Sequence, residues 1–132
     1  MIYIGVSEDG GYAVIDGNKV EARAICGDVL FHDMRNLDAK NTRCVIEMKH
    51  PGMETAALPK KASETAYIAC RMRQIPFMVV TPGTWERDMK VDGNHVGMCQ
   101  KLFPGVKIET RANGSAPEAD ALLLAEYARR SL

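Results

Sequence analysis

Glu47 is the residue of this sequence best placed to carry chemistry. It comes near the end of an apolar run over residues 43–48, which predicts a buried strand whose last side chains emerge at the carboxyl edge of a sheet. Ligand sites in α/β sheets favour that edge. A carboxylate there is costly to desolvate unless a cation or a donor is near. Glu47 is therefore a candidate catalytic acid or metal ligand, and a solvated glutamate at a strand end is the alternative.

Asp120 is the second candidate. It lies one turn into a predicted helix over residues 116–130 and directly precedes an apolar run. An acid at this position either faces a site or complements the helix dipole, and the sequence leaves both open. Glu118 has a structural explanation instead, because Ser115-x-x-Glu118 has the spacing of a capping box.

Charge is unevenly distributed, although the chain has 17 basic and 17 acidic residues in all. This balance excludes a polybasic mode of nucleic-acid binding. Residues 1–39 have three bases and seven acids, whereas residues 40–73 have seven bases and three acids. The basic segment flanks Glu47 and suits a polyanionic substrate with a divalent cation. A solvated basic face remains the alternative.

The 132 residues fit a single domain over the whole chain. No apolar run approaches the roughly 20 residues of a membrane helix, and the first residues lack the pattern of a signal peptide. We predict a cytoplasmic protein with no membrane partner. The cysteines lie far apart without a C-x-x-C pair, so we expect reduced, buried thiols rather than a zinc site. They are Cys26, Cys44, Cys70 and Cys99.

The elements that must position these acids predict a mixed α/β sheet. Turn signals at Asp9-Gly10-Gly11 and Asp16-Gly17-Asn18 separate the strands of a three-stranded antiparallel meander. The alternation of helices and strands that follows favours parallel strands with helices on both faces. Later strands are predicted over 43–48, 76–81 and 106–109, and helices over 28–37, 63–73, 82–90, 94–102 and 116–130.

Five segments follow one another in a specific order. The opening strand, its Gly-Gly turn and its hairpin precede Val45-Ile46-Glu47. The segments 79–85 (VVTPGTW), 101–104 (KLFP) and 120–127 (DALLLAEY) come after it. Together they resemble the phage-type Holliday junction resolvases of the RuvC-like branch of the ribonuclease H-like superfamily, over nearly the whole chain.

The resemblance implies a ribonuclease H-like fold and an endonuclease dependent on Mg²⁺ or Mn²⁺. Such enzymes are usually homodimers that nick branched DNA, such as a four-way junction, with about four carboxylates around two metal ions. Glu47 and Asp120 match two of these acids and would be catalytic metal ligands, and Asp9 is a candidate third ligand. The residues expected to contact DNA are Lys49, Lys60, Lys61 and Arg111.

The sequence departs from the family pattern at the other two acids. Ser7 stands where the first strand of the family has an aspartate, and the acid expected shortly before Asp120 falls at Pro117 or Ala116. Because hard divalent ions bind through oxygen ligands, we expect a weakened metal site. A resolvase homologue with such a site is the first hypothesis. A catalytically inactive module that binds nucleic acid or a protein partner is the second, and a phosphate-binding enzyme of the actin-like fold is a third.

Overall fold

A five-stranded mixed sheet forms the centre of the molecule in the computed structural model, which describes residues 1–24, 27–49, 62–112, 114 and 116–132. The sheet order is β3-β2-β1-β4-β5, with β1, β2 and β3 antiparallel and β1, β4 and β5 parallel. This arrangement confirms the predicted meander joined by parallel strands. The strands are β1 (Ile2–Val6), β2 (Gly11–Asp16), β3 (Lys19–Ala24), β4 (Thr42–Glu47) and β5 (Phe77–Val80).

Helices cover both faces of the sheet, as predicted. The first two helices pack on one face, and the last three pack on the other. The longest described helix has 15 residues, and no described helix is long and apolar enough to cross a membrane. The helices are α1 (Gly27–Arg35), α2 (Ala62–Arg73), α3 (Pro82–Met89), α4 (His95–Leu102) and α5 (Pro117–Ser131).

The two faces of the central strands have different partners because side chains alternate along a strand. Ile4 and Val6 of β1 pack into the cluster beneath α1 and α2. Gly5 faces α5, and a Cβ atom on it would lie only 2.1 Å from the carbonyl oxygen of Ala121. The backbone of α5 therefore rests directly on β1, and this close approach sets the depth of the helix over the sheet.

Two sequence predictions need correction. Residues 106–109 do not form a strand; Val106 and Ile108 are partly buried against the core, so their alternation reflects packing rather than pairing. The N-cap of α5 is Ala116, and Pro117, whose fixed φ suits the first helical position, begins the helix. The capping box predicted at Ser115 is therefore not the observed start, and Ser115 itself lies outside the described residues.

The cysteine prediction is confirmed for the described thiols. Cys44, Cys70 and Cys99 are free and buried, and they pack as small apolar side chains in the two clusters. Cys26 lies outside the described residues. Cys44 and Cys70, although far apart in the sequence, lie close enough for their side chains to hydrogen-bond.

Candidate functional site at the carboxyl edge of the sheet

The parallel strands bring the predicted acids to one edge of the sheet. Glu47 is the last residue of β4, and Ser7 directly follows β1, its parallel neighbour. Thr81 follows β5 and is the N-cap of α3. The first turn of α5 lies over the same edge, because Ser7 contacts Pro117. Sequence periodicity therefore located Glu47 correctly, at the edge where open α/β sheets bind ligands.

Glu47 is almost fully buried, with 4% of its surface exposed, and both of its carboxylate oxygens accept hydrogen bonds. The backbone N–H of Glu8 donates to Oε1 at 3.2 Å, and Nε1 of Trp85 donates to Oε2 at 2.8 Å. Burial raises the pKa of Glu47, these two donors oppose the rise, and the charges of Asp120 and Asp9 add to it. The two donors thus offset part of the cost that burial imposes on the charged form of this carboxyl group.

Asp120 is held by a histidine that sequence analysis did not single out. Nδ1 of His95, at the start of α4, hydrogen-bonds to Oδ1 of Asp120, and Nε2 lies 3.7 Å from Oε1 of Glu86. This hydrogen bond to Asp120 raises the pKa of His95, burial opposes the rise, and the charges of Asp120, Glu86 and Glu47 support it. No local spacing connects residues 95 and 120, so only the packing of α4 on α5 reveals the pair.

The resemblance led us to expect acids at Ser7 and at Ala116, and both residues are buried where the start of α5 meets the sheet. The Ser7 side chain is completely buried. Its hydroxyl donates to the carbonyl oxygen of Pro117 at 3.2 Å and accepts from the backbone N–H of Gly11 at 2.8 Å. Ala116 is 8% exposed. Both positions therefore serve the attachment of α5 to the sheet.

The other predicted site residues lie at the periphery. Asp9 is exposed and forms an ion pair with Lys49 at 3.8 Å. Arg111 is exposed in the segment before α5, and its charge acts on Glu118 in the first turn of that helix. Lys49 lies two residues beyond the end of β4. Lys60 and Lys61 lie outside the described residues.

The described residues do not fit a divalent cation as they are arranged. Within the described ranges, no group of three His, Cys, Asp or Glu side chains is placed to hold a metal ion. The oxygens of Glu47 already accept protein donors, and Oδ1 of Asp120 is bound by His95. Burial raises the pKa of Cys99 to about 12, and its thiol donates to the carbonyl of Ala119. The Mg²⁺ or Mn²⁺ that the resemblance implies stays a prediction.

Replacing Trp85 with phenylalanine should lower the free energy of unfolding by about 1–3 kcal/mol, because Oε2 of Glu47 loses its donor. The pKa of Glu47 should rise further for the same reason. Urea denaturation and a carboxyl ¹³C NMR titration measure the two effects. Thr84→Val, which removes the neighbouring Thr81–Thr84 hydroxyl contact, is the control and should leave the pKa of Glu47 unchanged. An unchanged pKa in the Trp85 variant would contradict this role.

Comparison with known proteins identifies the fold. No protein-family model matches the sequence, and no curated protein matches it at a significant level. One similar structure is RuvC from Thermus thermophilus. The alignment covers 98% of this chain and 96% of the RuvC chain, with a TM-score of 0.57 and 17% sequence identity. A second is RuvC from the same organism in complex with a Holliday junction substrate. Here the alignment covers 99% of this chain and 97% of the RuvC chain, with a TM-score of 0.58 and 13% sequence identity. The fold is RuvC-like.

The RuvC-like fold confirms the fold class that the resemblance implied, a ribonuclease H-like mixed sheet with helices on both faces. The match extends over nearly the full length of both chains, so it includes every described element. Identities of 13–17% show a shared fold and leave the site chemistry to this chain's own residues. Membership of the phage-type subfamily stays a prediction.

Proposed function

We propose that this protein binds branched DNA across the carboxyl edge of its sheet, as a RuvC-like protein whose capacity for cleavage is weakened or lost. The observation that carries the proposal is the match of 99% of this chain to a RuvC structure in complex with a Holliday junction substrate. That likeness concerns the fold. The exposed basic residues near the edge are what favours DNA binding by this chain.

Two exposed cations lie close to elements of the candidate site. Lys49 follows β4, and its side chain is half exposed even though Asp9 lies 3.8 Å away. An exposed ion pair of this kind is worth less than about 1 kcal/mol, so a phosphate can replace Asp9 as the partner. Arg111 is exposed as well, and its charge acts on Glu118 in the first turn of α5. Each of these cations can neutralise a backbone phosphate, which favours recognition by shape rather than by sequence.

The state of the acids supports binding over cleavage. Glu47 and Asp120 are the two residues that match the family's metal ligands, and both already accept hydrogen bonds from protein groups. Cleavage by two metal ions needs several carboxylates whose oxygens are free to bind the ions. The described residues offer no such group, so the edge is better suited to contact with a phosphate backbone.

Fluorescence anisotropy with a labelled four-way junction tests the proposal. The junction should bind more tightly than a linear duplex of the same base composition. Combining Lys49→Ala with Arg111→Ala should weaken binding to junctions of any sequence. It should also reduce the slope of log affinity against log salt concentration by about two, because two phosphate contacts are lost.

The matched control is Lys19→Ala. Lys19 is exposed and begins β3 at the opposite edge of the sheet, so its removal should leave the salt slope unchanged. Equal affinity of the parent for junction and duplex would refute recognition of branched DNA. An unchanged slope in the Lys49 and Arg111 double variant would refute the proposed edge.

A metal-dependent endonuclease on branched DNA is the second candidate function. The negative charges of Asp120 and Asp9 help to raise the pKa of Glu47, and a divalent cation bound near Glu47 with a DNA phosphate would offset this repulsion. Denaturing gels of the same junction with Mn²⁺ separate the two functions. Nicks by the parent that disappear in Glu47→Gln would support the enzyme, and intact strands would support the binding protein. The homodimer, the protein partner and the cytoplasmic location stay predictions, and sedimentation equilibrium tests the first.

A further inference from the structure

His95 occupies a position where three carboxylates converge. Its Nδ1 is bonded to Asp120 on α5, and its Nε2 faces Glu86 on α3 at 3.7 Å. The charge of Glu47, at the end of β4, also acts on this imidazole. The His95 side chain is 21% exposed, and that of Asp120 is 19% exposed. A group surrounded in this way by anions stands where a cation would otherwise be attracted.

The surroundings of His95 hold the ring in place. The ring contacts Trp85, with centroids 5.1 Å apart and planes tilted by 54°. Trp85 is completely buried and donates to Glu47, so one residue fixes both the imidazole and the other acid. Asn94 caps α4 by accepting a hydrogen bond from the N–H of Gly97 at 3.0 Å. The start of α4 is therefore a defined part of the site.

The chemistry of the ring argues against a role as a metal ligand. An ionised carboxylate only accepts hydrogen bonds, so the ring nitrogen that meets Asp120 carries a proton and has no lone pair for a metal. The other nitrogen faces a second carboxylate, that of Glu86. A cation that bridged Glu47 and Asp120 would have to displace two donors, Nε1–H of Trp85 and Nδ1–H of His95.

We propose that His95 takes the place of a divalent cation at Asp120 and, together with Trp85, excludes metal from the carboxyl edge. One oxygen of each acid then already accepts from an N–H group of α3 or α4, which leaves it unavailable to a metal ion. This inference concerns the free protein and does not depend on whether the edge binds DNA. Its failure and the failure of the proposed function are therefore separate results.

Binding of Mn²⁺ to the purified protein, followed by the EPR signal of the free ion, tests the proposal. The parent should bind Mn²⁺ weakly, and His95→Ala should bind it at least about tenfold more tightly. Adding Asp120→Asn to His95→Ala should abolish the gain, because the new affinity depends on that carboxylate. His32→Ala, which removes an exposed histidine on α1, is the matched control and should behave like the parent.

Three outcomes would overturn the proposal. His95→Ala could bind Mn²⁺ no more tightly than the parent, which would show that the imidazole blocks nothing. The parent could bind tightly and lose this affinity in His95→Ala, which would make His95 a ligand. The parent's His95 Nδ1–H resonance could disappear on addition of Mg²⁺ in a ¹H–¹⁵N spectrum, which would show displacement by the cation. Should His95→Ala fail to fold by circular dichroism, His95→Asn replaces it with the same expected gain.

Discussion

Replacing Gly5 with alanine should unfold the protein or bring it to the limit of stability. The added Cβ would lie 2.1 Å from the carbonyl oxygen of Ala121 and 2.3 Å from the backbone nitrogen of Ala125. These neighbours are backbone atoms of a helix, so no change of rotamer relieves the clash, and α5 must move away from the sheet. We expect a loss of more than about 4 kcal/mol, from a total that is about 5–15 kcal/mol for a domain.

Thermal and urea denaturation of the purified variant measure this loss. Gly83→Ala is the matched control, because a Cβ on Gly83 meets nothing within 4 Å and the residue lies in α3. That substitution should be neutral or stabilise by up to about 1 kcal/mol. If Gly5→Ala retained the denaturation midpoint of the parent, the close approach of α5 to β1 would be refuted.

Replacing Ser7 with aspartate, the residue that the resemblance to RuvC-like resolvases leads one to expect there, should destabilise the fold rather than create a metal centre. The hydroxyl of Ser7 donates to Pro117 and accepts from Gly11 in a completely buried position. A carboxylate cannot donate to the carbonyl of Pro117, and it adds volume where β1 meets α5. It also adds negative charge next to Glu8, whose N–H is bonded to Glu47. We expect a loss of more than about 3 kcal/mol, typical of a buried charge without a partner.

Urea denaturation of Ser7→Asp, Ser7→Asn and Ser7→Ala separates the contributions. The asparagine variant has the shape of aspartate without its charge, so the difference between these two measures the cost of the charge. Ser7→Ala should lose only about 1–3 kcal/mol, for the two lost hydrogen bonds. Millimolar Mn²⁺ should not recover the stability of Ser7→Asp. Recovery by Mn²⁺ would show that the edge holds a metal centre after all.

Sequence reasoning predicted the sheet because its signals are local. The hairpin turn at Gly17, which has φ of +60°, and the apolar run that ends at Glu47 each depend on a few neighbouring residues. It failed over residues 106–109, where Val106 and Ile108 are partly buried against the core but form no strand. Periodicity reports which side chains are buried and does not report whether the backbone finds a strand to pair with.

The candidate site could be predicted only in part. Glu47 stood out because it lies near the end of an apolar run, and Asp120 because it directly precedes one. Their actual partners, Trp85 and His95, come from the segment between them and are brought in by the packing of α3 and α4. These hydrogen bonds join residues that are 25 and 38 positions apart, and no periodic pattern in a sequence predicts them. The identity of the group that meets each acid therefore had to come from the structure.

The position of α5 has a consequence for synthesis of the chain. This helix covers β1, β2, β3 and β4 on one face, and most of its residues are buried there. A ribosome adds about 5–20 residues per second. The apolar face of the sheet is therefore exposed for seconds between the synthesis of β5 and that of α5. Cooperative folding is then postponed until the last helix is made, because its long-range contacts close only at that stage. Asp120 is brought near Glu47 in the same step. A nascent chain without α5 therefore lacks the candidate site.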